Sequence, residues 1–144
     1  MNPIPKPNPA PLIEELRAHL DLGAELLSLA HREHQALHAP GEFPASEFDQ
    51  IRKVLLPRLK YSIECIGKSR QAWQQLSQAE RARQVKVTNL VRANMDLIMK
   101  VLMLDRENEQ MLLRRGLIPA QHLHRARHTH PHFVASLYRR NNGN

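Results

Sequence analysis

Five histidines within eleven residues are the first side chains in this sequence that could do chemistry. They are His122, His124, His128, His130 and His132. Imidazole nitrogens bind zinc and nickel, so a dense group of histidines is a candidate metal site. The spacing matches no helical zinc signature, however, and the arginines between the histidines repel a cation. The pattern therefore favours a solvated basic segment over a metal site.

A second group of histidines lies in the first helical pattern of the chain. His31, His34 and His38 follow steps of three and four residues, and Glu33 is adjacent. This spacing places the three rings on one face of a helix, where they could hold a metal ion. Histidine is also favoured near the C-terminal end of a helix. We favour this structural role and predict neither a metal nor another cofactor.

The sequence contains no catalytic signature such as a glycine-rich phosphate loop, a nucleophile elbow or an HExxH pair. Cys65, the single cysteine, lies inside a helical pattern, which is typical of a small buried apolar residue. It can form no intrachain disulfide, and this favours a reducing compartment. Asp105, Glu107 and Glu109 predict a solvated helix face. We expect a cytoplasmic protein that is not an enzyme.

Three of the five methionines stand at strict four-residue spacing in "NMDLIMKVLML", residues 94–104. Met95, Met99 and Met103 should therefore form one ridge along a helix. One interpretation is that they belong to the core. The other is a hydrophobic groove that receives an amphipathic helix of another protein, since flexible methionines can repack around several sequences. Apolar residues cover nearly the whole circumference from Leu90 to Leu104, so part of this helix should stay exposed.

The elements that position these residues are three long helical patterns, at about residues 12–38, 47–76 and 78–115. The first carries a seam with alternating steps of three and four residues, formed by Ile13, Leu16, Leu20, Gly23, Leu27, Ala30, His34 and Leu37. The third carries an equivalent seam, formed by Val87, Val91, Asn94, Ile98, Val101, Asp105, Asn108 and Leu112. Polar residues in such a seam fix the register or bond to a partner's backbone.

Caps and breakers set the predicted helix ends. Ser46 with Asp49 resembles a capping box for the second helix, and Pro57 should kink or split that helix. Ser77 with Glu80 is a better capping box. Gly116, which follows two arginines, is a ready left-handed cap for the end of the third helix.

The composition favours an all-α protein, because leucine, alanine, arginine, glutamine and glutamate dominate and glycine is scarce. We predict an elongated antiparallel three-helix bundle whose third helix is long, about 50 Å. Residues 1–11 form a proline-rich extended leader, residues 12–116 the helical domain, and residues 117–144 an irregular basic tail.

The net charge of +7 is concentrated near the C-terminus. Residues 1–109 contain 15 Lys and Arg against 14 Asp and Glu, whereas residues 110–144 contain six Arg and no acid. Nucleic acid or an acidic partner could therefore bind through Arg125, Arg127, Arg139 and Arg140. Aromatic residues are few in the tail and no recognition signature is present, so nucleic acid is the less favoured partner.

Two segments of the helical body resemble the FlgN family of flagellar export chaperones. "LSLAHREHQAL", Leu27 to Leu37, is similar to the family's early "LLxxEhxAL" segment. "LVRANMDLI" carries an asparagine followed by apolar residues near the start of the last long helix, as the family does. Tyr138 and Gly143 are similar to a Tyr and a Gly near the family's C-terminus. The resemblance covers about Leu22 to Met111, and the leader, Pro57 and the basic tail have no counterpart in it.

The resemblance implies a small helical chaperone that binds hook–filament junction (hook-associated) proteins through their C-terminal helices and releases them at the export apparatus. The residues expected at the docking surface are Leu90, Asn94, Leu97, Ile98, Val101, Leu102 and Asp105. Residues that would extend or cover this surface are Leu117, Ile118, Phe133, Leu137 and Tyr138. A self-associating helical module, such as a homodimer, remains an alternative, and no segment is apolar enough for membrane insertion.

Overall fold

A computed structural model describes residues 8–117, and all regular structure among them is helical. The chain forms α1 (Ala10–His38), α2 (Ala45–Gln74), α3 (Gln78–Arg83) and α4 (Val85–Arg114). The three long helices contain 29, 30 and 30 residues, so each is about 45 Å long. The predicted all-α class is confirmed. Residues 1–7 of the predicted leader and 118–144 of the predicted tail lie outside the described residues. The leader was predicted to extend to residue 11, but α1 already begins at Ala10, so its C-terminal bound is wrong.

Helix α2 begins one residue earlier than its predicted cap and runs without a break past Pro57. Pro44 occupies the N-cap position and no side chain caps the helix, so the predicted capping box at Ser46 is wrong. Proline at position 57 does not split the helix, although its ring nitrogen removes one backbone donor. Pro57 lies on the exposed side of α2.

The predicted third helix, 78–115, divides into α3 and α4 at Gln84, where the backbone leaves the helical region with φ −91° and ψ 65°. The capping box at its start is confirmed, because the Ser77 side chain accepts from the Glu80 N–H and the Glu80 side chain accepts from the Ser77 N–H. No glycine or proline marks the break, which explains why the sequence pattern runs through it. The last long helix, with 30 residues, therefore has about the same length as the other two.

The end of α4 agrees with the prediction. Gly116 has φ 70°, the left-handed conformation that glycine adopts without a steric penalty. The Gly116 N–H donates to the Leu113 carbonyl at 3.0 Å and the Leu117 N–H donates to the Leu112 carbonyl at 2.9 Å. These two bonds form a Schellman motif and satisfy the last carbonyl groups of the helix.

Helix α1 is the centre of the packing, because it contacts both α4 and α2, and α4 more extensively. It runs antiparallel to α2, since Glu25 pairs with Arg58 whereas the later residue Glu33 pairs with the earlier residue Arg52. It runs parallel to α4, as shown by three hydrogen bonds that all join residues 78 positions apart. Helices α2 and α4 make little contact with each other.

Within residues 8–117, the core consists of two groups of apolar side chains. The larger group lies between α1, α2 and α4 and includes Leu29, Phe48, Leu59 and Val101. Phe43, in the connection before α2, joins it and stacks on Phe48 with ring centroids 5.4 Å apart. The smaller group lies at the N-terminal end of α1 and consists of the buried residues Leu12, Leu16 and Val87 with half-buried neighbours.

Candidate functional site

The three methionines that were predicted to form a ridge along α4 are exposed. Met95, Met99 and Met103 leave 60%, 57% and 63% of their surface in contact with solvent. We call these three residues the methionine strip. Their four-residue spacing places the three side chains along one side of the helix, beside the half-buried Ile98 and Leu102. Among the described residues, nothing covers the strip, and the interpretation of these methionines as core is therefore wrong.

The predicted docking residues divide into four groups. Leu90, Asn94, Leu97, Ile98, Leu102 and Asp105 are half-buried, whereas Val101 is buried with only 1% of its surface exposed. Leu117 is 44% exposed and follows the end of α4. The remaining predicted residues, Ile118, Phe133, Leu137 and Tyr138, lie outside the described residues.

Four of the predicted docking residues belong to or pack against the core groups, and two residues of the predicted surface lie in the α1–α4 interface. Val101 belongs to the large core group. Leu97 approaches Gly23 so closely that a Cβ atom on Gly23 would lie 2.8 Å from Leu97 Cδ2. These residues hold α4 against α1. The surface of α4 that a partner could reach is consequently the side of the methionine strip and not the side of the predicted seam.

The two asparagines of the α4 seam, and Arg115 one heptad further on, bond to the backbone of α1. Asn94 Nδ2 donates to the Leu16 carbonyl at 3.0 Å, and Asn108 Nδ2 donates to the Ala30 carbonyl at 2.9 Å. Arg115 donates to the Leu37 carbonyl at 3.1 Å. The donors are separated by multiples of seven residues, and so are the acceptors. Polar residues in the seam were predicted either to fix the register or to bond to a partner's backbone. These hydrogen bonds fix the register between α1 and α4.

Two buried carboxylates and one half-buried carboxylate lie near one arginine between the three long helices. Glu33 of α1 is 2% exposed and pairs with Arg52 of α2. Asp105 and Glu109 of α4 lie beside them, and Glu109 Oε1 is buried with no hydrogen-bond partner in the described part of the chain. The prediction that Asp105, Glu107 and Glu109 form a solvated face is wrong for Asp105 and Glu109, because α4 turns them toward the bundle, whereas Glu107 is exposed as predicted.

Burial shifts the pKa values of this group. It raises the pKa of Asp105 to about 7, an effect that the Arg52 charge opposes and the Glu33 and Glu109 charges increase. Burial also raises the pKa of Glu33 despite its pairing with Arg52. Only part of the signal for this group is present in the sequence. Glu33 interrupts the buried apolar stripe of α1, but its position does not reveal that Arg52 reaches it from another helix.

His19 is a second buried polar residue that the sequence pattern did not single out. It is 4% exposed, and its Nδ1 shares a hydrogen bond of 2.9 Å with Ser62 Oγ of α2. Burial lowers the pKa of His19 to about 4, so the ring is neutral near pH 7. The pair joins α1 to α2 at the opposite end from the carboxylate group.

The histidines at the end of α1 make structural hydrogen bonds. His34 Nδ1 donates to Asn108 Oδ1 at 3.1 Å, and His38 Nδ1 donates to the His34 carbonyl at 2.8 Å. Residues 8–117 contain no group of three or more side chains arranged to hold a metal ion. The five-histidine segment lies beyond these residues. None of the described helices has the length and apolarity required to cross a membrane.

Comparisons of the chain with family models, with curated proteins and with solved structures find no match. The functional argument therefore depends on the chain's own residues. Its strongest element is the methionine strip, an exposed apolar surface on a helix that is otherwise anchored to α1.

Proposed function

We propose that this protein is a chaperone that binds an amphipathic helix of another protein on the methionine strip. The supporting observation is the exposure of Met95, Met99 and Met103 along one side of α4. An amphipathic helix lays its apolar side chains into such a surface at three- and four-residue spacing. Burial of apolar surface stabilises the complex by about 25 cal/mol per Å², from which the cost of ordering the bound helix is subtracted.

Methionine suits this function better than the branched apolar residues of the core. Its side chain is unbranched and polarizable, so it can adapt its rotamers to different partners. The backbone under the strip is held in place by two hydrogen bonds to α1. Asn94, which precedes the strip in the sequence, and Asn108, which follows it, both donate to carbonyl groups of α1. A partner helix therefore meets flexible side chains on a backbone that is already ordered, which lowers the entropic cost of binding.

The resemblance to the FlgN family supports a specific form of this function. In that form the protein is cytoplasmic, its long helices act as an antiparallel three-helix bundle, and its clients are hook-associated proteins bound through their C-terminal helices. Masking those helices keeps the clients soluble and unassembled until export. The segments that carry the resemblance, Leu27–Leu37 and Leu90–Ile98, lie on the two helices with the most extensive mutual packing.

A charge placed in the strip tests the proposed surface. We expect Met99→Glu to weaken the binding of an amphipathic client helix at least ten-fold, because the carboxylate must be desolvated in the complex. The thermal unfolding midpoint should stay close to wild type, since Met99 is 57% exposed. Binding would be measured by fluorescence anisotropy and unfolding by circular dichroism.

Val54→Glu is the matched control, because Val54 of α2 is 63% exposed and receives the same charge outside the strip. Equal weakening by both variants, or no weakening by Met99→Glu, would refute the proposed surface. A second copy of the chain is the alternative occupant. Sedimentation tests it, since a dimer that persists on dilution and is abolished by Met99→Glu would assign the strip to self-association.

A further inference from the structure

The methionine strip is bounded at both ends by arginines. Arg92 precedes Met95 by three residues and Arg106 follows Met103 by three residues, and both arginines are exposed. Their separation of 14 positions corresponds to nearly four helical turns, or about 21 Å, so the two arginines lie on about the same side of α4 as the strip. Within residues 8–117, neither arginine forms an ion pair.

The neighbouring charges leave this surface weakly positive. Lys100 is a third exposed cation of the same part of α4, and Asp96 and Glu107 are its exposed anions. By helical angle, however, Arg92 and Arg106 lie within the arc that the three methionines cover, whereas Lys100 and the two anions lie to one side of it. Unpaired arginines beside an apolar strip are suited to carboxylates on the edges of a bound helix.

From this arrangement we infer that the strip is selective for amphipathic helices that carry acidic residues beside their apolar stripe, about 14 residues apart. This inference rests on the proposed helix-binding function and names the class of partner. Each acidic residue would pair with one arginine while the stripe covers the methionines. The arginines thus select the partner and its position along α4, and the methionines supply the apolar contact.

The same charges disfavour two other possible occupants of the strip, which are a second copy of the chain and the chain's own segment 118–144. In a symmetric antiparallel pairing of two copies about Met99, Met95 lies opposite Met103, but Arg92 then lies opposite Arg106. A register that brings Asp96 opposite Arg106 instead moves Met95 opposite Glu107. The chain's own segment 118–144 contains four arginines and no acid, so it carries the same sign of charge as the ends of the strip. Like charges in close apposition therefore oppose the pairing about Met99 and the binding of segment 118–144.

A pair of designed helical peptides of about 20 residues tests the inference. Both carry the same leucine stripe at three- and four-residue spacing, and they differ only at two edge positions 14 residues apart, which are Glu in one and Lys in the other. We expect the full chain to bind the Glu peptide about ten-fold more tightly at about 50 mM NaCl, because it gains two exposed ion pairs. The preference should shrink at about 500 mM NaCl.

Charge reversal supplies the control. The double variant Arg92→Glu/Arg106→Glu should prefer the Lys peptide, whereas Lys53→Glu/Lys60→Glu, with the same change in net charge on the exposed residues of α2, should keep the preference for the Glu peptide. Equal affinity of wild type for both peptides, or a reversal by the α2 variant, would overturn the inference. If both peptides bind equally and Met99→Glu abolishes both, the helix-binding function stands and only the charge selectivity fails. Binding of neither peptide would overturn both.

Discussion

Asn108 of α4 donates its side-chain amide to the Ala30 carbonyl of α1 at 2.9 Å, and both residues are almost completely buried. The Asn108 carbonyl oxygen accepts from His34, so a single side chain bonds twice to α1. A buried amide is stable only when its polar atoms are paired. This residue therefore aligns α4 with α1 as well as contributing to the free energy of folding.

Replacing Asn108 by alanine should lower the free energy of unfolding by about 2 kcal/mol, since it removes two buried hydrogen bonds and leaves His34 Nδ1 unpaired. Urea unfolding followed by circular dichroism measures the change. Asn89→Ala on the exposed side of the same helix is the control and should cost far less. Similar losses for the two variants would mean that the buried amide adds nothing to stability.

Gly23→Ala should leave the stability of the protein nearly unchanged, because two effects of similar size oppose each other. Alanine gains about 1 kcal/mol of helix propensity over glycine, but its Cβ would lie 2.8 Å from Leu97 Cδ2 and force that side chain to move. In a Leu97→Ala background the contact is gone, and Gly23→Ala should then stabilise by about 1 kcal/mol. The double-mutant cycle, measured by urea unfolding, is contradicted if Gly23→Ala has the same effect in both backgrounds.

The pH dependence of stability should contain two opposing contributions. The pKa of Asp105 is about 7 in the folded protein and near 4 in the unfolded chain. The contribution of Asp105 to stability is therefore fully present below pH 4 and is lost as the pH rises through 7. The pKa of His19 is about 4 in the folded protein and 6.5 in the unfolded chain. The contribution of His19 to stability is therefore fully present above pH 6.5 and is lost as the pH falls through 4. Between about pH 4 and 6.5 the two slopes largely cancel, and Glu33, whose pKa is also raised, adds to the Asp105 direction.

Two variants separate these contributions. Asp105→Asn should make stability rise with pH between 4 and 6.5, with a slope approaching about 1.4 kcal/mol per pH unit from His19. His19→Gln should instead make stability fall as the pH rises from 4 to 7. Urea midpoints measured across this range give both slopes. Parallel profiles for the two variants would show that neither group titrates as its burial requires.

Peroxide should oxidise Met95, Met99 and Met103 well before Met111, which is half-buried against the large core group. Sulfoxide formation follows access to the sulfur atom and turns an apolar side chain into a polar one. Oxidation of the strip should therefore leave helicity unchanged while it removes peptide binding. Peptide mass spectrometry gives the order of oxidation, and equal rates for Met103 and Met111 would contradict it.

The sequence predicted the α1–α4 interface better than it predicted the exposed surface of α4. Leu16, Ala30, Asn94 and Asn108 occupy the predicted seams, because seven-residue spacing marks the stripe that two helices share. The spacing does not show how far a third helix extends around that stripe. The exposure of the methionine strip follows from the position of α2, which no local pattern determines.

Tertiary contacts explain the other differences between prediction and structure. Glu33 is buried because Arg52 reaches it from α2, 19 residues later in the chain. Phe43 belongs to the core although it lies outside every helix, so helical periodicity could not find it. The helix ends at Ser77 and Gly116 were predictable, because a capping box and a left-handed glycine satisfy backbone groups with residues that are adjacent in sequence.

The constant separation of 78 residues between bonded partners in α1 and α4 restricts how this protein can change in length. Removal of one residue from the middle of α4 would rotate the following part of the helix by about 100° and turn Asn108 away from Ala30. Removal of seven residues from α4 alone would keep the faces matched but slide Asn108 from Ala30 toward Gly23. Relatives of different size should therefore have gained or lost heptads in both helices together.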